Sequence, residues 1–287
     1  MYKYNVETTD IDRVDVYETV AILDTSWYCV AGKCFLIAAS ALGDTILFEL
    51  KSDERLHRID SIELNAGDEN VLTLAIDVRT EHTDKENLVA SDSRGNISLL
   101  TIGEGEIRTE RKWEAHSFEA WTCSFDKWNP NVVYTGGDDT FLNIYDVRAE
   151  DVQLRLKNRS HIAGVTSVLS FDEHVCITGS YDENLRLFDT RAWRNPVDEL
   201  QLGGGIWRIK PSKVNRDLLL CACMYKNFSV CEVDPSKTKI GLVATYTAHE
   251  SICYGADWCP TKTEAGGQVM ITCSFYDQKL CVSSVCE

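Results

Sequence analysis

Between Trp113 and Arg148 the chain reads WEAHSFEAWTCSFDKWNPNVVYTGGDDTFLNIYDVR, and its apolar positions fall into three short groups. A first run at 121–125 is closed by a polar turn carrying Asn129 and Pro130. A β-branched run at 132–135 follows and leads into Gly136, Gly137, Asp138 and Asp139. Residues 142–147 then alternate and contain the pair Tyr145-Asp146. Period-two runs of this length, bounded by Gly, Pro, Asn and Asp, predict three short strands. A histidine (His116) stands before the first, and an aspartate (Asp139) stands in the second turn.

The same pattern recurs. His161 precedes GVTSVLSF, then HVCITGSYD and ENLRLFDTR, which puts Asp182 at the position of Asp139. The corresponding marks elsewhere are Gly43, Arg94, Tyr225 and Asp277, spaced 51, 45, 43, 43 and 52 residues apart. Spacings near 40–45 residues with four short strands per unit are those of WD-repeat propeller blades. The predicted fold class is therefore all-β, a WD-repeat β-propeller in one domain over 1–287. Six repeats are legible, at about 20–50, 70–102, 119–148, 164–191, 203–233 and 250–286, with a partial blade or closure strands at 1–19. Strands are expected at 2–6 and 14–19, the latter completing the last blade, which supplies only three strands, or capping a partial one. The last repeat also carries a polar insertion at 261–268. The residues leave six and seven blades both open, and no segment predicts a helix.

Composition narrows the function classes. A net charge of −16 opposes general affinity for nucleic-acid phosphate or anionic membrane. It suits a cationic partner, or it serves only solubility. The longest apolar run, 35–42, is too short to span a bilayer, and the polar start of the chain predicts no secretory leader. Twelve cysteines contain no Cys-x-x-Cys pair and lie mostly in predicted strands. They are read as reduced thiols in a cytoplasmic protein. Cys221 and Cys223, two apart in a strand, should face the same way.

Three His/Asp pairs invite a catalytic reading: His116 with Asp139, His161 with Asp182, and His249 with Asp277. Their separations of 23, 21 and 28 residues follow the repeat. A pairing that recurs blade after blade is architecture, with each imidazole expected to bond its turn Asp and a strand hydroxyl such as Thr178. Other templates fail: there is no Gly-x-Ser-x-Gly elbow and no phosphate loop, and Cys253 stands where a zinc-protease motif starting at His249 needs histidine. No metal or cofactor is implied.

Several residues are left that the repeat does not require. Loops before each first strand and in each second turn open onto one face of a propeller, and they carry Glu119, Trp121, Asp138, Tyr181, Trp207, Arg208, Tyr254 and Tyr276. Aromatic rings with neighbouring acids hold cationic groups, above all quaternary ammonium; the competing role for Trp121, Trp207 and Tyr254 is packing between blades. Cys223 and Cys273 are candidate nucleophiles or, alternatively, small buried hydrophobes.

Certain stretches are more particular than the repeat. FEAW (118–121), YTGGDD (134–139), TGSYDE (178–183), GGIWRIK (204–210), ACM (222–224), YGADW (254–258) and TCSFYD (272–277), in this order, resemble the diphthine methyl ester hydrolase family, WD-repeat proteins of diphthamide biosynthesis. The resemblance is strong over 113–277 and weak over the first hundred residues. It implies seven blades, of which the first is half missing here. It also implies a carboxylic ester hydrolase that removes one methyl ester from methylated diphthine on elongation factor 2, whose modified histidine bears a trimethylammonium group beside that ester. Other diphthamide-pathway proteins are expected as further partners. The family supplies no catalytic triad. Glu119 and Asp138 are the candidate bases, and the backbone of 203–205 or Arg208 is the candidate oxyanion stabiliser. The alternative class is a non-catalytic interaction scaffold.

Overall fold

The computed structural model describes residues 1–5, 7–68, 70–79, 86–103, 105–263 and 266–286. Among them are twenty-five strands and no helix. The chain divides into two compact units, Met1–Tyr4 with Ile11–Lys157, and Asn5–Asp10 with Asn158–Glu287.

The first unit opens on a hairpin of β1 (Tyr2–Tyr4) and β2 (Ile11–Arg13). Blade one is β3 (Ile22–Val30), β4 (Lys33–Ser40), β5 (Asp44–Leu50) and β6 (Leu56–Glu63). Blade two is β7 (Thr73–Arg79), β8 (Glu86–Asp92), β9 (Asn96–Gly103) and β10 (Glu106–Glu114). Blade three is β11 (Thr122–Phe125), β12 (Val132–Gly136), β13 (Leu142–Asp146) and β14 (Gln153–Asn158), whose last residue is the first of the following stretch of the second unit. The second unit contains blade four, β15 (Val165–Asp172), β16 (Val175–Ser180), β17 (Asn184–Asp189) and β18 (Asp198–Gln201). Blade five follows as β19 (Arg208–Pro211), β20 (Leu218–Ala222), β21 (Phe228–Val233) and β22 (Ile240–Tyr246). Blade six has three strands, β23 (Cys253–Lys262), β24 (Gln268–Ser274) and β25 (Leu280–Val285). Each sheet is antiparallel in chain order, and all six register marks lie between a second and a third strand. The fold class is the predicted one, an all-β WD-repeat β-propeller, and six blades stand among the described residues.

Alternation along the middle strands explains the core. In β8, Leu88 and Ala90 pack with Ile37, Leu47 and Leu100 toward blade one, while Val89 packs with Phe125, Val133 and Tyr145 toward blade three. In β20, Leu219 and Cys221 face Ile177 and Leu187 of blade four, while Leu218 and Leu220 face Trp258 and Met270 of blade six. Each fully buried side chain of this size contributes roughly 1.5–3 kcal/mol. Cys221 and Cys223 share one seam, as their spacing predicts. Carboxylates fix blade against blade: Asp24 accepts the Ile76 N–H (3.1 Å), Asp77 that of Phe125 (2.9 Å), Asp60 that of Ile107 (2.8 Å) and Asp198 that of Ile240 (2.8 Å).

Three expectations are corrected. The N-terminal strands are Tyr2–Tyr4 and Ile11–Arg13; Val6 lies outside the described residues, and 14–19 form no strand. The hydrogen bonds of this segment go elsewhere: Val14 N–H donates to the Met1 carbonyl (3.1 Å), and the Asp15 carboxylate accepts Leu56 N–H (3.1 Å). With Tyr17 set edge-on to Phe48 at 4.9 Å, the segment lines blade one and completes no blade six, whose sheet has three strands. Not all cysteines are thiols, because Cys29 and Cys34 form a disulfide. They are direct partners in the β3–β4 ladder with Cα atoms 4.1 Å apart, so a five-residue separation across a hairpin turn did what a Cys-x-x-Cys search overlooks.

Candidate functional site

The recurrent histidines bind polar groups of the scaffold. In all three blades the imidazole Nε2 lies 2.8 Å from a second-strand threonine hydroxyl, Thr135, Thr178 or Thr272. In all three, the residue after the histidine donates its N–H at 3.1 Å to the turn aspartate: Ser117 to Asp139, Ile162 to Asp182, Glu250 to Asp277. The expected direct imidazole–carboxylate bond is present in blade three alone, where His116 Nδ1 is 2.8 Å from Asp139 Oδ1. Burial would raise the Asp139 carboxyl, but its bonds from His116, Ser117 and Phe141 outweigh burial and hold it below the usual carboxylate range.

Blades four and six depart from that expectation for identifiable reasons. Opposite Thr135 in the ladder stands Asn143, which turns to the Ala115 carbonyl (2.8 Å); opposite Thr178 stands Arg186, which reaches both oxygens of Asp182 (2.9 and 2.8 Å). His161 Nδ1 is left without a hydrogen-bond partner, and burial, aided by the Arg186 charge, pushes this imidazole down to about 4. In blade six the turn is longer by one residue, and Ser274 stands between, its hydroxyl 2.5 Å from His249 Nδ1 and donating to Asp277.

Of the eight loop residues singled out in the sequence, three lie in the first unit. Asp138 N–H donates to the Glu119 carbonyl (2.9 Å), and Trp121 Nε1 donates to Asp138 Oδ1 (3.0 Å). The loop before β11 is thereby locked to the second turn of its own blade. Gly137 is required there, because a Cβ would lie 2.5 Å from the His116 ring.

Of the other five, Tyr181, Trp207, Tyr254 and Tyr276 come together with Phe275 in the second unit as a row of rings. Tyr181 and Trp207 have centroids 6.2 Å apart, Trp207 and Tyr254 5.2 Å, Tyr254 and Phe275 6.2 Å, and Phe275 and Tyr276 5.0 Å. Most of these contacts are tilted or edge-to-face, the arrangement favoured by ring quadrupoles. Arg208 sits with its guanidinium carbon 4.9 Å from the Trp207 ring centre, and its Nη1 donates to the carbonyls of Thr166 (3.1 Å) and Trp207 (3.0 Å). A cation is thus fixed at that end of the row. The glycine run 203–205 threads between the turns of blades four and five: a Cβ on Gly204 would lie 2.3 Å from the Cys223 carbonyl oxygen, and one on Gly205 3.2 Å from the Tyr181 ring.

An open groove of about 780 Å³ adjoins the Tyr276 end. Its lining includes Tyr225, Tyr276, Glu250 and Asp277. Tyr225 and Phe275 escaped the sequence reading. The available signals were an aromatic at a register mark that holds Asp in three other blades, and the doublet Phe275-Tyr276 in one turn. The cysteine candidates are not activated. Burial pushes the Cys223 thiol up to about 12; Cys273 is an exposed residue and not a buried hydrophobe, and desolvation of its thiol raises it as well, whereas a thiolate nucleophile needs the opposite shift.

Comparison with known proteins adds the following. The family model described as "WD domain, G-beta repeat" matches residues 153–189. "Diphthine methyltransferase" of Homo sapiens is 35% identical over 275 residues, covering 90% of this chain and 60% of that protein. "Diphthine methyltransferase" of Schizosaccharomyces pombe is 30% identical over 285 residues, covering 97% of this chain and 83% of that protein. The chain thus spans less than two thirds of the human relative's length. A chain of the "Crystal Structure of Mitotic Checkpoint Complex" superposes with a TM-score of 0.74 at 14% identity, covering all of this chain and 81% of that one, and shares the fold.

Proposed function

Because this chain belongs to the diphthine methyltransferase family, we propose that it acts in diphthamide biosynthesis as a carboxylic ester hydrolase that removes the methyl ester from methylated diphthine on elongation factor 2. The reaction adds water across the acyl–oxygen bond: the carboxylate keeps one oxygen from water, methanol leaves, and one proton is released. Elongation factor 2 is the protein substrate and the cytoplasm the compartment of this proposal. The observation that carries it is the aromatic row ending on Arg208. A guanidinium held by two carbonyls cannot swing away, so it meets the negative charge of a tetrahedral intermediate without reorganisation.

With Cys223 and Cys273 held as thiols, activated water is the favoured nucleophile. Glu119 and Asp138 of the first unit are the acids to substitute first, and the Asp138 carboxylate is oriented by the Trp121 indole.

The relatives are named methyltransferases, and the experiment separates that chemistry from hydrolysis. Trace protein is incubated with elongation factor 2 carrying the methyl ester in ¹⁸O-labelled water, followed by peptide mass spectrometry. Multiple-turnover loss of one methyl group with one ¹⁸O in the carboxylate and methanol in solution supports the proposal. Methyl loss without ¹⁸O moves the reaction to methyl transfer. Stoichiometric capture with no methyl loss leaves an interaction scaffold.

A further inference from the structure

The outer strands of the blades differ in a way that the repeat does not require. β6, β10, β14 and β18 all carry charge, through Arg58 and Asp60, Glu110 and Arg111, Arg155 and Lys157, and Asp198 and Glu199. β22, with the sequence IGLVATY, carries none, and the uncharged run continues to Ala248. An outermost strand leaves one side of its backbone unpaired, and charge is a common protection against pairing with another chain. Among the described residues β22 is the last strand of its sheet and is bonded to β21 alone.

A bulge sharpens the contrast. Ala244 stands opposite Val230 and Leu242 opposite Cys231, so Val243 is an extra residue with no partner of its own in the ladder. Leu242 and Val243 are 52% and 49% exposed, an apolar pair presented at the bulge. β6 and β10 bulge in the same way, but there the extra residue is Ile59 between Arg58 and Asp60, or Glu110 beside Arg111. The uncharged wall also reaches blade six. Tyr246, at the end of β22, hydrogen-bonds the side chains of Ser283 and Cys281 in β25, whose sequence LCVSSV is likewise free of charge.

We infer that the outer edge of blade five is an interface between two copies of this chain, formed by β22 of each, antiparallel about a two-fold axis at Val243. Ile240 of one copy then stands opposite Tyr246 of the other. Residues close to a two-fold axis meet themselves, so a charge there faces the same charge, which rules out the edges of β6 and β10; Leu242 and Val243 meet apolar side chains instead. The requirement is stricter for a chain of net charge −16, since two copies repel unless their contact is free of acids. Charge resumes only beyond the strand, at exposed Lys239 before it and exposed Glu250 after it. Antiparallel pairing directs the basic end of one edge toward the acidic end of the other. Because the same strand is used twice, both free edges are consumed and assembly stops at two. The interface stands or falls apart from any ester chemistry.

The test is sedimentation equilibrium of the full chain across the micromolar range, with hydrogen exchange on dilute and concentrated samples. The expected result is a monomer–dimer equilibrium with slower exchange of the 241–245 amides in the concentrated sample. The dissociation constant should fall roughly threefold or more as salt rises, because salt screens the repulsion between copies and leaves the apolar contact intact. Val243→Lys sets two like charges at the axis and should weaken the dimer roughly tenfold or more, whereas Val243→Thr, β-branched and uncharged, should stay within about threefold of the native chain. Melting curves check that both variants fold. A monomer at every concentration, species larger than a dimer, a dimer that weakens as salt rises, or unchanged association of Val243→Lys overturns the interface. Should Val243→Lys fail to fold, the exchange pattern of the native chain decides: concentration-dependent protection elsewhere and none at 241–245 overturns the interface as well.

Discussion

Arg186 Nη1 lies 2.9 and 2.8 Å from the two carboxylate oxygens of Asp182, occupying the place that His116 takes on Asp139 one blade earlier. Both partners are buried, so removing one strands the other. Arg186→Leu should cost roughly 3–5 kcal/mol in chemical denaturation. Arg186→Asn, which installs the blade-three residue, should cost less and raise the His161 pKa as Asp182 turns to the imidazole; NMR titration of His161 reads this directly.

His161 also sets a pH window. Its folded value is down at about 4 against an ordinary 6.5, so between these values the unfolded chain binds a proton that the folded chain refuses. Stability contributed by the neutral imidazole is present above 6.5 and lost as pH falls toward 4, by about 3 kcal/mol. Asp139 and Asp182, held below 3.8, lose theirs only at still lower pH. The difference in unfolding free energy between the native chain and His161→Gln, measured from pH 7 to pH 4, should shrink by that amount; a constant difference would sink the assignment.

Gly203 and Gly204 are neighbours with different needs. Gly203 has φ +77° and room for a methyl group, so Gly203→Ala should cost about 1–2 kcal/mol of backbone strain. Gly204→Ala drives Cβ into a backbone carbonyl that cannot rotate away, and its cost should reach or exceed the upper end of the roughly 1–3 kcal/mol typical of overpacking. Melting curves showing the reverse order would contradict the placement of this loop.

Alkylating the unfolded, unreduced chain should modify ten cysteines, and all twelve after reduction. Closing so short a loop is worth roughly 2 kcal/mol on the chain-entropy account, so reductant should lower the unfolding midpoint slightly, and not at all in Cys29→Ser/Cys34→Ser.

Asp138→Asn retains an acceptor for the Trp121 indole while abolishing the base. If Asp138 takes the proton from water, kcat should fall roughly 10²- to 10⁴-fold with little change in KM. Unchanged kcat in a folded variant transfers the role to another carboxylate, with Glu119 next to be substituted.

Much of this was legible from alternation alone. Every register mark found its turn, and the cysteines at 221 and 223 found their common seam. Direct pairing of each histidine with its aspartate was not legible, because it depends on one residue across the ladder, Asn143 or Arg186, and on the length of the Ser274–Asp277 turn. The hairpin disulfide was hidden for a similar reason: register, not spacing in the chain, brings Cys29 to Cys34. Tyr225 was hidden because its place in the groove depends on the turn after Met224, whose φ of +41° leaves no trace in composition.

The alternation in β8 and β20 has a further bearing on how such a chain tolerates change. Leu88 and Val89 serve opposite neighbours, so deleting a single residue within the strand would exchange them and spoil two joints at once. A lengthened connection disturbs neither. Indels are therefore filtered by where they land, and the repeats can drift in length from 43 to 52 residues while the strands themselves keep a fixed phase.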